Sequence, residues 1–175
     1  MEDPNTETPS ESADASTIHQ FSLTELLPPE RIRLDVRAGG WQEAVRDAGK
    51  LLFETDAVRF EYIDAMIKVA QELGPYIVIA PGIALPHAAT EAGAKHTALS
   101  LIKLAQPVYF GNADNDPVRL VFGLAAIDNK AHIMALQALA EIFTSKELME
   151  QLFHADTVDA VMELMQRAEQ MVLRK

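Results

Sequence analysis

Residues 75–87 read PYIVIAPGIALPH, and the fold is decided by how this stretch is parsed. Tyr76 to Ala80 is a continuous β-rich apolar run, which predicts a buried strand. Pro81-Gly82 turns the chain. Ile83-Ala84-Leu85 is a second extended run, and Pro86 ends it by fixing its own φ and restricting Leu85 to extended conformations. His87 follows, with the small residues Ala88-Ala89 after it. A stiff apolar segment that ends in an imidazole presents a nucleophile well, because neutral imidazole is available near pH 7. A core or turn histidine is the alternative reading of the same residues.

Working outward, Arg31–Arg37 alternates Ile32, Leu34 and Val36 with charged residues, the period of a half-buried strand. After Gly39-Gly40, the residues Trp41, Val45, Ala48, Leu51 and Leu52 follow helical spacing, and Phe60, Ile63, Met66, Ile67, Ala70 and Leu73 define a second helix closed by Gly74-Pro75. Downstream, Thr97–Leu104 and Val108–Phe110 are predicted as two strands and Val118–Ile127 as a central strand. Asp114-Asn115-Asp116-Pro117 is turn chemistry. Asp128-Asn129 punctuates the central strand and can cap a helix with Ile133, Leu136, Leu139, Ala140 and Phe143 on one side. Helices over 145–153 and 156–172 complete the chain. Strands mixed with helices predict an α/β fold, a single mixed β-sheet covered by helices. Mixed polarity is expected because the two middle strands are too close for a helical crossover.

Composition narrows the function. The chain has 175 residues, enough for about one domain. Its formal charge is -11, which argues against nonspecific nucleic-acid binding, since phosphate contacts need Lys and Arg. It has no cysteine, so disulfides, Cys zinc sites and thiol nucleophiles are excluded. No apolar run approaches the roughly 20 residues that span a bilayer, and the N-terminus lacks the pattern of a secretory signal, so a cytoplasmic protein is expected. Residues 1–17 carry Glu2, Asp3, Glu7, Glu11 and Asp14 and no base. They are expected to form an acidic, flexible tail ahead of a domain spanning 18–175.

Of the five histidines, His19, His96 and His154 are expected to be solvated or to serve packing. His132 opens the helix after Asp128-Asn129, where a helix N-terminus favours phosphate. On its own, it also reads as an exposed first-turn histidine. No HxxxH, HExxH, GxGxxG, Walker or GxSxG pattern occurs.

Gly82-Ile83-Ala84-Leu85-Pro86-His87 resembles the G-[IV]-A-[LIV]-P-H element of the mannitol/fructose-type IIA components of the bacterial sugar phosphotransferase system. Glu61–Met66, Phe110–Asn112 with Asp116–Val118, Leu120–His132 and Thr144–Leu152 resemble further parts of that superfamily, so the likeness runs from about Leu23 to Leu164. The wording PYIVIAPGIALPHA resembles the ascorbate-type branch, and Val69, beside Lys68, stands where mannitol-type members carry an Arg. The resemblance implies a mixed sheet sandwiched between helices and a phosphoryl relay. Phospho-HPr is the donor, His87 the phosphorylated residue, His132 the second active-site histidine, and a IIB component the acceptor. The resemblance also implies a membrane IIC component as an indirect partner and no metal or nucleotide cofactor. The apolar residues Ile83, Leu85, Ala88 and Ala89 would form a docking face around His87. Two other readings fit the same histidines: a regulatory IIA-like protein whose phosphorylation controls a partner, and a metal-dependent hydrolase using His87 and His132.

Overall fold

The computed structural model describes residues 22–173. The expected tail over residues 1–17, and His19, lie outside the described residues. In chain order the elements are α1 (Leu23–Leu26), β1 (Ile32–Val36), α2 (Trp41–Glu54), α3 (Glu61–Leu73), β2 (Val78–Ala80), β3 (Ile83–Ala84), β4 (Ala98–Val108), β5 (Val118–Ala125), α4 (Asn129–Thr144), α5 (Lys146–His154) and α6 (Val158–Leu173).

The five strands form one sheet in the order β1-β4-β5-β3-β2. β1 runs parallel to β4, β4 antiparallel to β5, β5 parallel to β3, and β3 antiparallel to β2. Helices cover both faces. Leu120, Phe122 and Leu124 of β5 join Leu99 and Leu101 of β4 in a core with α1, α4, α5 and α6. Val121 and Ala125 of β5, with Ala98 and Ile102 of β4, pack instead against α2 and α3. Successive residues of a strand face opposite sides. When both sides are covered by helices, the alternation disappears into one apolar run, which is why β5 reads as continuous in sequence.

Three sequence expectations need correction. Tyr76–Ala80 is not a buried strand: Gly74–Ile77 is a 3₁₀ turn, and β2 keeps only three residues at the sheet edge. Tyr76 is 81% and Ile79 44% exposed, so this β-rich composition serves an edge. Second, the two expected middle strands are one strand, β4, whose exposed Ala105-Gln106-Pro107 stretch carries a shift in register against β5 between Lys103 and Val108. Mixed polarity is real, but it comes from β4 pairing antiparallel to β5 and parallel to β1. Third, the buried side of α4 is Ala135, Ala138, Leu139 and Ile142, while Ile133 and Ala140 face out.

One glycine is fixed by close approach. Gly123 in β5 lies under α2, and a Cβ there would sit 2.4 Å from Ser100 Oγ and 3.4 Å from Ala48 Cβ. Ser100 is fully buried and donates to Ala48 O at 2.8 Å, so its hydroxyl cannot retreat without losing that bond. Gly123→Ala is expected to destabilise the fold by about 1–3 kcal/mol through overpacking. Urea denaturation checks this; an unchanged midpoint would show that α2 gives way at no cost.

Candidate functional site

The site lies where the segment after β3 leaves the sheet. β3 pairs with β5 in a register that is constant from Ile83 opposite Leu120, through Ala84 opposite Val121, to His87 opposite Leu124. The assigned strand stops at Ala84 although the register does not. Pro86 has no N–H to give to β5, so one rung of the ladder is missing there. The next backbone bond is intact: Leu124 N–H donates to Pro86 O at 3.1 Å.

The constant register also fixes the faces. Leu85 packs into the core beneath α4 and Ala84 into the core beneath α3. Two residues beyond Leu85, His87 falls on the α4 side, and Ala88 falls on the α3 side with Ala84. His87 is half-buried. Its Nδ1 lies 2.9 Å from Leu85 O. A carbonyl only accepts, so Nδ1 carries the proton, and in the neutral ring Nε2 keeps its lone pair.

His132 arrives from the other direction. Asp128 caps α4, its carboxylate accepting from Ala131 N–H at 2.8 Å. His132 is held in the first turn, its N–H donating to Asp128 O at 3.1 Å. The two imidazole rings stand 5.4 Å apart between centroids, inclined at 54°. The structure thus brings together the two histidines singled out from the sequence. Partial burial, and then the neighbouring His87, hold the His132 pKa below its ordinary 6.5. The first turn of α4 adds partial positive charge, though the Asp128 carboxylate already occupies one of its N–H donors.

The other described histidines, His96 and His154, stay apart from this pair. His96 is exposed in the loop before β4, and His154 ends α5 with Nδ1 2.7 Å from Glu150 O. Asp116 is turn chemistry, as expected: its carboxylate accepts from the backbone of Phe110, Gly111 and Asn112 at 3.0, 2.7 and 2.8 Å. Val69 is half-buried against the α2/α3 core. Among the described residues no group of three or more His, Cys, Asp or Glu converges as metal ligands would.

The expected apolar docking face is corrected. Ile83, Leu85 and Ala88 are buried core residues, and only Ala89 of that set is exposed. Two exposed apolar side chains, Ile127 and Ile133, each 53% exposed, stand on either side of Asp128–His132 in the chain. Sequence periodicity assigned Ile133 to the core and Ile127 to the strand; the competing Ala135, Ala138, Leu139, Ile142 spacing was the signal that would have placed Ile133 outside. Tyr62, within the Glu61–Met66 stretch, is a residue to which the sequence reading gave no role. Its hydroxyl is buried against the backbone of Ala88 and Leu124.

The chain combines a three-layer sandwich with two imidazoles 5.4 Å apart at a helix N-terminus, and its class is that of the phosphotransferase relay proteins of the IIA type. More particularly, the chain belongs to the family described as phosphoenolpyruvate-dependent sugar phosphotransferase system, EIIA 2, which it matches over residues 25–168. It is 37% identical over 137 residues to the ascorbate-specific EIIA component of Escherichia coli K12, covering 78% of this chain and 89% of that one. It is also 37% identical over 145 residues to the mannitol-specific cryptic IIA component of the same strain, covering 83% and 98%. Among solved structures it resembles a chain of the Escherichia coli complex of mannitol enzyme IIA with phosphorylated enzyme IIB, with a TM-score of 0.71 and 32% identity over 78% of this chain and 94% of that one. Among the described residues no helix is long and apolar enough to cross a membrane.

The depressed His132 pKa has a consequence for pH. The folded chain binds less proton at this ring than the unfolded chain does, so the associated stability is fully present above 6.5 and is lost as pH falls through the lower folded value. An NMR titration should place the His132 midpoint below 6.5, and His87→Gln should raise it only part of the way back, because burial is the larger cause. A midpoint at or above 6.5 in the native chain would contradict this arrangement.

Proposed function

We propose that His87 is the phosphorylated residue of this IIA component, with Nε2 as the attacking atom and His132 holding the phosphoryl oxygens. The observation that carries this is the pairing of a Nδ1-anchored imidazole with a second imidazole 5.4 Å away between centroids. Phospho-HPr supplies the phosphoryl group. The P–N bond of the donor phosphohistidine breaks, with its electron pair returning to the donor ring, as the Nε2 lone pair of His87 forms the new P–N bond. The positive charge that develops on the His87 ring is met at Nδ1–H by the carbonyl of Leu85. The second transfer repeats the exchange in reverse, to a IIB component, as the relative solved with phosphorylated enzyme IIB supports.

Catalysis of this kind is positioning and charge stabilisation, with no need of a metal or nucleotide. His132 is suited to the second task. Neutral in the free protein, it offers one N–H to an incoming oxygen. Once a phosphoryl dianion sits on His87, the nearby negative charge favours a second proton on the ring. Ile127 and Ile133 are the apolar contacts a transient partner would cover beside the reacting atoms.

For the substrate, the reading is the carbohydrate system of the ascorbate branch. The curated ascorbate and mannitol relatives match equally well, so the choice rests on the chain's own PYIVIAPGIALPHA wording and on Val69 in the place of the mannitol-type Arg. The phosphoryl group would then pass to a cysteine of the ascorbate IIB, with the membrane IIC component downstream, and the chain would work in the cytoplasm.

Incubation with phosphoenolpyruvate, enzyme I and HPr should give an acid-labile, base-stable adduct that His87→Ala abolishes. His132→Ala should still accept phosphate but pass it to IIB more slowly by about 10²–10³, the usual effect of losing one charge-stabilising donor. A full equivalent of phosphate on His87→Ala, or an unchanged rate in His132→Ala, would overturn the respective role. Transfer to ascorbate IIB but not mannitol IIB supports the substrate reading, and the reverse contradicts it.

A further inference from the structure

We propose that Tyr62 is a positioning residue for phosphoryl transfer: its hydroxyl stands in the β3–β5 ladder at the rung just past His87 and sets where the imidazole leaves the sheet. The proposal rests on the reading of His87 as the phosphorylated residue.

In a regular parallel pair, a residue facing its partner across a bridge has its two chain neighbours bonded to that partner. His87 faces Leu124. Pro86 O accepts from Leu124 N–H at 3.1 Å, the first of these bonds. The second would run from Ala88 N–H to Leu124 O. Here it passes through the phenol: Ala88 N–H donates to Tyr62 Oη at 3.1 Å, and Tyr62 Oη–H donates to Leu124 O at 2.8 Å. The hydroxyl has one proton to give, and Leu124 O is closer than Ala88 O at 3.2 Å. Tyr62 is fully buried, so no solvent competes for these groups. Burial pushes the phenol pKa up to about 12, against a smaller opposing effect of the Ala88 backbone bond, and the group remains a donor throughout the working range.

Two rungs of the segment, one on either side of the intact Leu124 N–H to Pro86 O bond, are therefore unusual. Pro86 removes one, and Tyr62 relays the other. Between them sits the nucleophile, whose own ring is tied back to Leu85 O. Without the oxygen, Ala88 N–H and Leu124 O must either close on each other or lie buried and unpaired. Closing draws Ala88 toward β5 and moves His87 relative to His132. The ring Nδ1–Leu85 bond fixes tautomer, while Tyr62 fixes place.

The test compares native chain, Tyr62→Phe and Tyr62→4-aminophenylalanine, with Tyr76→Phe as an exposed control. Single-turnover uptake from phospho-HPr at saturating donor should fall in Tyr62→Phe by about 10- to 100-fold, the range a displacement near 1 Å produces. The donor concentration for half-maximal rate should change less than about twofold, because the docking surface is untouched. The imidazole ¹⁵N resonances of unphosphorylated His87 should shift in Tyr62→Phe. The aminophenylalanine variant, which keeps a donor and an acceptor at the same point, should recover most of the rate, and Tyr76→Phe should match native. A folded Tyr62→Phe with native rate and unshifted His87 resonances, whatever its melting temperature, overturns the proposal. Should Tyr62→Phe fail to fold, the native chain decides: a slowly exchanging Tyr62 hydroxyl proton with a nuclear Overhauser contact to the Ala88 amide supports the relay, and absence of that contact refutes it. Phosphate found on a residue other than His87 in the native chain would defeat the functional reading instead, while the ¹⁵N shifts, read without phosphate, would still report on the position.

Discussion

The parallel pairing of β3 with β5 is the constraint on which the site depends. β3 contributes only two residues as an assigned strand, yet its register against β5 persists across Leu85 and Pro86 to His87. β5 itself is immobilised from both sides, by α4 through α6 on one face and by α2 and α3 on the other. A single strand thus fixes both histidines: His87 by lateral pairing, and His132 because β5 leads through Asp128 directly into α4. A relay protein needs this rigidity at one point. Under the proposed function, the position of the reacting nitrogen is supplied by the backbone that carries it.

The chemistry of the pair follows from their different anchors. His87 is held by a carbonyl at Nδ1, which leaves the Nε2 lone pair free and, under the proposed function, prepares the ring for the positive charge that a phosphoryl group would bring. His132 is held by its backbone in a helix turn, and burial together with its neighbour disfavours its charged form. Two imidazoles of the same intrinsic basicity are in this way given separate tasks. The strong overall negative charge of the chain, -11, would make a local means of receiving a phosphoryl dianion more necessary, and the proposed function assigns that task to the paired rings at the start of α4.

How much of this was legible in the sequence can be argued from particular residues. The motif ending at His87 and the cap at Asp128 were readable because each rests on local rules: proline fixes its own backbone, and an acidic residue ahead of an apolar run caps a helix. Helices α2 and α6 were readable from period alone, whereas the stripe read for α3 took in the exposed Phe60 and Leu73 and left out the buried Tyr62. Tyr76–Ala80 was misread because β-rich composition does not distinguish a central strand from an edge. The division of β4 into two strands followed from the exposed stretch 105–107, where the strand continues past its covered part. The docking face was misplaced because Ile83, Leu85 and Ala88 are close to His87 in sequence but are buried in the cores on the two faces of the sheet. Tyr62 lay beyond local reading altogether: its partners are 26 and 62 residues away, and only the tertiary fold makes a helix tyrosine part of a sheet ladder.

The central claim is that the Leu85 carbonyl holds Nδ1 of His87 and thereby selects Nε2 as the phosphorylated atom. The most direct measurement is ¹⁵N and ³¹P NMR of the chain labelled at histidine and phosphorylated through HPr. The account predicts one phosphohistidine, at His87, with the phosphorus coupled to Nε2 and the proton retained on Nδ1. Phosphorus bonded to Nδ1, or a phosphohistidine at His132 in place of His87, would contradict it.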